Sequence, residues 1–368
     1  MALDIGVLGY RFMGKAHSNA MARLPMFFPD APEIEREVLV GRDEEALSSA
    51  ADQLGFSRTM TDWKEAIEEV DVFYNLGPNF VHAEPSIAAL EAGIPVFCEK
   101  PLAPTLEEAK EMTDAYREAG VPAGCAFNYR FVPAIRYAKE LIDSGELGEI
   151  YHVRGRYLQD WLVDPDAPWS WRNDEEMAGS GALGDLGAHT IDLARFLVGE
   201  AVGEISEISG QLRTFTEERP TGDGETREVT VDDAYLATAE FEGSAIGSFE
   251  ASRNANGHKN DHTIEIEGSK GSLKFSLERL NELEYLKKDS RGYETILVTD
   301  PEDPYIDHWW PPGHVIGWEH TFVHENYEFL SAVASGGEFE PSFEDGIATQ
   351  RVLSAIEESD ANGERVSL

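Results

Sequence analysis

The feature that most constrains this chain is a short apolar strand, Ile5-Gly6-Val7-Leu8, that runs through Gly9 into a helical pattern beginning near Met13. The same unit then recurs. Candidate strands at 5–8, 38–41, 72–76, 95–99 and 122–127 alternate with amphipathic helical patterns at 13–24, 44–54, 63–68, 83–92 and 106–118. Wholly apolar strands separated by helices are the signature of βαβ units around a parallel sheet covered on both faces. Gly93 and Gly120 stand just past two of the helices, where a left-handed cap is wanted. One more helix, 132–144, leads out of this region.

Beyond residue 149 the period changes. Runs rich in β-branched and aromatic residues at 150–158, 205–215, 229–241, 245–252, 262–267 and 272–275 alternate at period two, between Gly-rich turns. That pattern predicts a mainly antiparallel sheet with one open face. Helical stretches at 182–197 and 319–334 interrupt and close it. The expected architecture is α/β: a doubly wound, Rossmann-type domain over 1–130, then an α+β domain over 131–368 with a large open-faced sheet. A C-terminal helix is expected to pack back on the first domain. Residues 217–228, dense in Gly, Thr and acids, read as a mobile loop.

Of 368 residues, 70 are acidic and 30 basic, a net charge of −40. Such a field repels nucleic acid and anionic membranes, and neither is expected as a partner. The acids are dispersed along ordinary helices and lysine is scarce, as in the proteins of salt-accumulating halophiles, where molar salt shortens the Debye length to ~3 Å. With no signal-peptide pattern and no long apolar span, the expected location is cytoplasmic. Cys98 and Cys125 lie in apolar strands and read as packing residues, and no metal site is expected.

Four motifs carry chemistry. Gly9-Tyr10-Arg11-Phe12-Met13-Gly14 follows the first strand and opens the first helix, as a dinucleotide fingerprint requires, but Arg11 stands where the second glycine belongs. Arg42-Asp43 closes the second strand. Asp43 suits the ribose hydroxyl of NAD and Arg42 the phosphate of NADP, so either cofactor is expected; as a helix N-cap Asp43 has an equally good structural reading. Pro78-Asn79 with His82, and Glu99-Lys100-Pro101, follow further strands at their carboxyl ends, where ligands of such sheets bind. In the second domain, Asp185 and His189 are spaced i, i+4 in a glycine-rich helix start, so a carboxylate stands beside an imidazole that it orients as a base. Tyr157 and Trp161, with Trp169, Trp171 and Arg172, suit the apolar face and polar edge of a sugar, although a domain core would use the same residues.

Together these motifs resemble the glucose–fructose oxidoreductase / inositol dehydrogenase (Gfo/Idh/MocA) family. The resemblance implies a tightly held nicotinamide cofactor and hydride transfer to or from a hydroxyl-bearing carbon of a sugar, anhydrosugar or cyclitol. Carried over, it makes Lys100 the catalytic lysine, His189 the proton acceptor and Asp185 its positioning carboxylate. Gly9, Arg11, Phe12, Met13, Gly14, Arg42, Asp43, Pro78, Asn79, His82, Glu99, Lys100, Trp171 and Arg172 would bind cofactor. Lys100, Asn128, Tyr157, Trp161, Arg172, Asp185 and His189 would meet the substrate. The resemblance also implies a homodimer or homotetramer through the C-terminal sheet. Relatives that hydrolyse glycosides with NAD, or only sense dinucleotide, are the alternatives; the intact Lys100, Asp185 and His189 favour the dehydrogenase.

Overall fold

The computed structural model describes residues 2–368. The chain divides into two compact units: residues up to Asn128 with Trp318–Ala348, and Tyr129–Gly317 with Thr349–Leu368.

The first unit runs β1 (Leu3–Leu8), α1 (Phe12–Phe27), β2 (Ile34–Val40), α2 (Glu44–Leu54), β3 (Arg58–Met60), α3 (Trp63–Ile67), β4 (Val72–Asn75), α4 (Ala83–Glu91), β5 (Val96–Cys98), α5 (Leu106–Ala119) and β6 (Ala123–Cys125). Its six strands pair in parallel in the order β3-β2-β1-β4-β5-β6. The order reverses between β1 and β4, which puts a crevice at their carboxyl ends. The local reasons are plain. Asp43 and Thr105 accept backbone N–H bonds at the starts of α2 and α5, while Gly55 and Gly120 end them in the left-handed conformation. In β5, beside the edge strand β6, Val96, Phe97 and Cys98 are wholly buried. The Phe97 ring lies 5.1 Å from Tyr74 and 4.9 Å from Phe329, a burial that contributes ~2–3 kcal/mol for the ring alone. β3, only three residues at a sheet edge, is too short to show a period and escaped the sequence reading.

The second unit opens with α6 (Pro133–Asp143), β7 (Ile150–Leu158), α7 (Glu175–Ala178), α8 (Ala188–Val202) and β8 (Ile205–Arg213). The short strands β9 (Glu218–Pro220) and β10 (Thr226–Glu228) follow, then β11 (Ala234–Phe241), β12 (Ile246–Ser252), β13 (Asp261–Gly268), β14 (Gly271–Ser276), β15 (Glu282–Lys287) and β16 (Glu294–Leu297). The chain closes with α9 (Glu319–Ser335), α10 (Phe343–Asn362) and β17 (Val366–Ser367); α9 belongs to the first unit and α10 to the second from Thr349 onward. Nine strands form one sheet in the order β16-β15-β14-β13-β7-β12-β11-β8-β17, antiparallel except where β7 meets β12. α8 lies on this sheet where a side chain is missing: a Cβ on Gly155 of β7 would come within 2.3 Å of the Thr190 methyl. On the opposite face Leu236 and Ile246 stand exposed.

Residues 217–228 are a correction to the sequence reading. They form the β9–β10 hairpin, not a loose loop, because Arg219 is fully buried and donates to the carbonyls of Leu162 and Asp164, both at 2.9 Å. In α10, burial pushes the Glu357 carboxyl up to about 7, with Asp232 and Glu175 adding repulsion. The folded chain therefore holds that proton more tightly than the unfolded one. The stabilisation is complete below pH 4.5 and is lost as pH rises through about 7. Glu357→Gln is expected to stabilise the protein by roughly 2–3 kcal/mol above that window and not below it, read from urea midpoints on both sides.

Candidate active site

The first turn of the first unit is shaped for a dinucleotide. Gly9 has φ +104°, and a Cβ there would lie 2.5 Å from the Leu76 carbonyl of the neighbouring strand end. A Cβ on Gly14 would lie 2.4 Å from the Gly9 carbonyl, so helix and turn close to backbone contact. Arg11, in the second glycine's place, has a negative φ of −83°, so this position does not take the left-handed backbone that would demand glycine. Among the described residues no side chain caps α1 and no acid lies in its first turn. Its N–H groups and positive dipole end are thus suited to a pyrophosphate. Beside them the Tyr10 ring covers Gly41, whose Cβ would meet it at 2.4 Å, and this fixes the start of the Arg42-Asp43 segment. Asp43 Oδ1 accepts the Ala46 N–H at 3.1 Å; the N-cap reading of Asp43 is the one its side chain displays. Phe12 is 64 % exposed and stacks on Trp318 at 5.5 Å, 16° from parallel. Trp318 is a neighbour that no local sequence signal announces.

Lys100 follows β5 and is held from behind. Glu99 is buried; its Oε2 accepts the Lys100 backbone N–H at 3.1 Å and its Oε1 meets His17 Nε2 at 3.3 Å. Asn326 Nδ2 donates to His17 Nδ1 at 3.0 Å, so the His17 proton sits on Nε2 and is given to Glu99. Glu99 thus holds the Lys100 backbone N–H with one oxygen and His17 with the other. The Lys100–Pro101 bond is cis. His82 is wholly buried between two carbonyls, Pro101 at 3.0 Å from Nδ1 and Gly77 at 3.1 Å from Nε2, and joins the loop after β4 to the segment after Lys100. Burial pushes its pKa down, against the pull of those carbonyls and of Glu99, and a neutral ring donates to one carbonyl at a time. Asn75, buried at the end of β4, donates to the carbonyls of Val81 and His82 and shapes the Pro78-Asn79 turn. Asn128 is 3 % exposed, and its Nδ2 donates to Thr321 Oγ1 at 2.8 Å.

In the second unit the glycine-rich helix start is not a plain α-helix. Leu183–Gly187 forms a π-turn, closed by the bond from Ala188 N–H to the Leu183 carbonyl, and only then does α8 begin. Such turns recur at functional sites. The wider turn makes room for a packed ring: a Cβ on Gly187 would lie 2.7 Å from the Tyr235 ring. Asp185 is half-buried on this turn, and His189 is 8 % exposed at the start of α8. Arg130 forks onto Asp192 one turn later, at 2.9 and 2.5 Å, which ties Tyr129 to α8. The Tyr129 ring lies 4.6 Å from His189 and its hydroxyl pairs with that of Tyr157 at 2.8 Å. Tyr157 in turn donates to Asn260 Oδ1 at 2.7 Å and stacks on His262 at 4.5 Å. Burial pushes His262 down to about 3, so this ring is neutral.

The remaining aromatic residues separate. Trp161 is 43 % exposed and donates to Gln159 Oε1 at 2.9 Å. Trp169 goes to the hairpin, where Arg227 stacks on it at 4.0 Å. The Arg172 guanidinium lies over the Trp171 ring at 4.4 Å. Among the described residues no three His, Cys, Asp or Glu side chains are grouped to hold a metal ion, and no helix is long and apolar enough to cross a membrane.

Residues 3–127 match the oxidoreductase family, NAD-binding Rossmann fold, and residues 135–274 match the GFO/IDH/MocA C-terminal domain. The chain is 42 % identical to levoglucosan dehydrogenase of Pseudarthrobacter phenanthrenivorans over 98 % of its own length and 96 % of that protein's. It is 26 % identical to glucose-6-phosphate 3-dehydrogenase of Bacillus subtilis, over 99 % and 98 %. The solved structure of levoglucosan dehydrogenase with NADH and levoglucosan superposes with a TM-score of 0.95 at 42 % identity, covering 100 % of this chain and 99 % of that one. An oxidoreductase domain protein from Kribbella flavida gives 0.96 at 47 %, with the same coverage.

Proposed function

We propose that this chain, which belongs to the GFO/IDH/MocA oxidoreductase family, is an NAD-dependent dehydrogenase of pyranose-like sugars, with the anhydrosugar levoglucosan as its foremost substrate. The observation that carries the substrate class is the 42 % identity to a levoglucosan dehydrogenase over nearly the whole of both chains. NAD is favoured over NADP by the family's description and by the NADH bound in that relative's structure. Gly9, Gly14 and the open amino end of α1 would hold the dinucleotide. When bound, its nicotinamide supplies the acceptor and donor of hydride. Lys100, fixed by Glu99, lowers the cost of building negative charge on the reacting hydroxyl. His189 takes the hydroxyl proton as the carbon becomes a carbonyl, and Asp185 stabilises the imidazolium that results.

A panel of levoglucosan, glucose, glucose 6-phosphate and myo-inositol, each with NAD and with NADP in high KCl, tests this. The expected result is stoichiometric NADH formation, fastest with levoglucosan. Glycoside cleavage without net NADH would replace the dehydrogenase by a hydrolase. The acidic surface fits a cytoplasm rich in salt, and activity rising with KCl checks that. The exposed Leu236 and Ile246 on the open sheet face support self-association as a dimer or tetramer, to be read by light scattering.

A further inference from the structure

Three consecutive backbone N–H groups at the start of the Asp185 turn end on one residue. The Asp232 carboxylate accepts from Gly181 at 2.6 Å and from Leu183 at 2.9 Å, and the Asp232 carbonyl accepts from Ala182 at 3.1 Å. These belong to the donors that the amino end of a helix leaves unpaired. A local Ser or Asp side chain usually serves there; here the acceptor lies 51 residues further along the chain from Gly181. The fit is close: a Cβ on Gly181 would lie 1.7 Å from the Asp232 carbonyl oxygen and 2.6 Å from Arg253 Nη2. Arg253 is fully buried, donates Nη2 to the Asp232 carbonyl at 2.9 Å and Nη1 to the Arg172 carbonyl at 3.3 Å. One buried pair therefore joins the two segments of this unit that sequence analysis singled out, Trp171-Arg172 and Gly181–His189. Burying a carboxylate and a guanidinium adds little net stability; what it secures is position.

We infer that Asp232 is a positioning residue: it fixes the π-turn that carries Asp185 and leads into His189, and Arg253 extends the same hold to Arg172. This rests on the proposed reading of Asp185 and His189 as the proton-handling pair. Asp232→Asn keeps the shape but sets an amide N–H against one of the two donors.

The expected result has two parts. Hydrogen–deuterium exchange in the peptide spanning 181–183 speeds up about 10-fold or more, as one of its N–H groups loses its acceptor and faces an N–H instead. In addition kcat/KM for the sugar falls about 100-fold through kcat, with a shifted acid limb in its pH profile, while NADH affinity changes less than about twofold. Should Asp232→Asn fail to fold, Arg253→Lys is the second variant. It keeps the charge, but a single ammonium cannot serve both carbonyls, so the same changes are expected at about 10-fold. Unchanged exchange at 181–183 would overturn the inference. So would faster exchange with an unaltered kcat/KM and pH profile. Failure of the wild type to oxidise any sugar would instead sink the functional reading, and the exchange measurement would still decide the clamp.

Discussion

His189→Ala is expected to lower kcat for sugar oxidation by about 10³-fold while NADH binding, followed by fluorescence, stays essentially unchanged. The size follows from the role: without a base, the hydroxyl proton must go to water while the carbon loses hydride. The selectivity follows from the structure. His189 belongs to the second unit and the dinucleotide turn to the first. The surroundings of His189 are held by groups other than the imidazole itself, namely the Arg130–Asp192 fork and the Thr190 methyl seated over Gly155. The helix should therefore survive the truncation. Lys100→Ala is expected to cost about 10²–10³-fold in kcat, because on the proposed mechanism it removes the charge that offsets the developing alkoxide. An unchanged kcat in either variant would refute the assignment, and loss of NADH binding in His189→Ala would point to a cofactor role instead.

What the sequence made legible was local. A lysine at a strand's carboxyl end and a carboxylate four residues from an imidazole are short-range patterns; Lys100 does follow β5, while Asp185 lies on a π-turn and His189 at the start of α8. The support around them was not legible, because it is long-range. Glu99 meets a histidine 82 residues earlier, and that histidine meets an asparagine 309 residues later. Asp232 does leave a trace, an acidic pair Asp232-Asp233 inside an apolar β-type run, where a solvated charge has no business. The sequence also predicted a plain helix over 182–197. Glycines at 181, 184 and 187 weaken the α pattern there, and packing by Tyr235 and Asp232 decides for the π-turn instead. Short edge strands such as β3 and β17 were missed for a different reason: two or three residues carry no period.

Gly9→Ala is expected to reduce NADH affinity by about 100-fold, the equivalent of ~3 kcal/mol, whereas Arg11→Gly is expected to stay within about threefold of the wild type. The contrast comes from the backbone. Gly9 sits at φ +104°, where an L side chain is strained, and its Cβ would press within 2.5 Å of the Leu76 carbonyl. The turn can relieve that contact only by moving away from β4, which carries the α1 amino end off the position the phosphates need. Arg11 at φ −83° has no such constraint, so its backbone N–H remains where it is whatever side chain it bears. The long guanidinium is exposed, and its loss costs at most one solvent-screened phosphate contact. Circular dichroism should show both variants folded, since the change at Gly9 is confined to the turn that follows β1. Equal affinities for the two variants would mean that the dinucleotide does not lie against this turn.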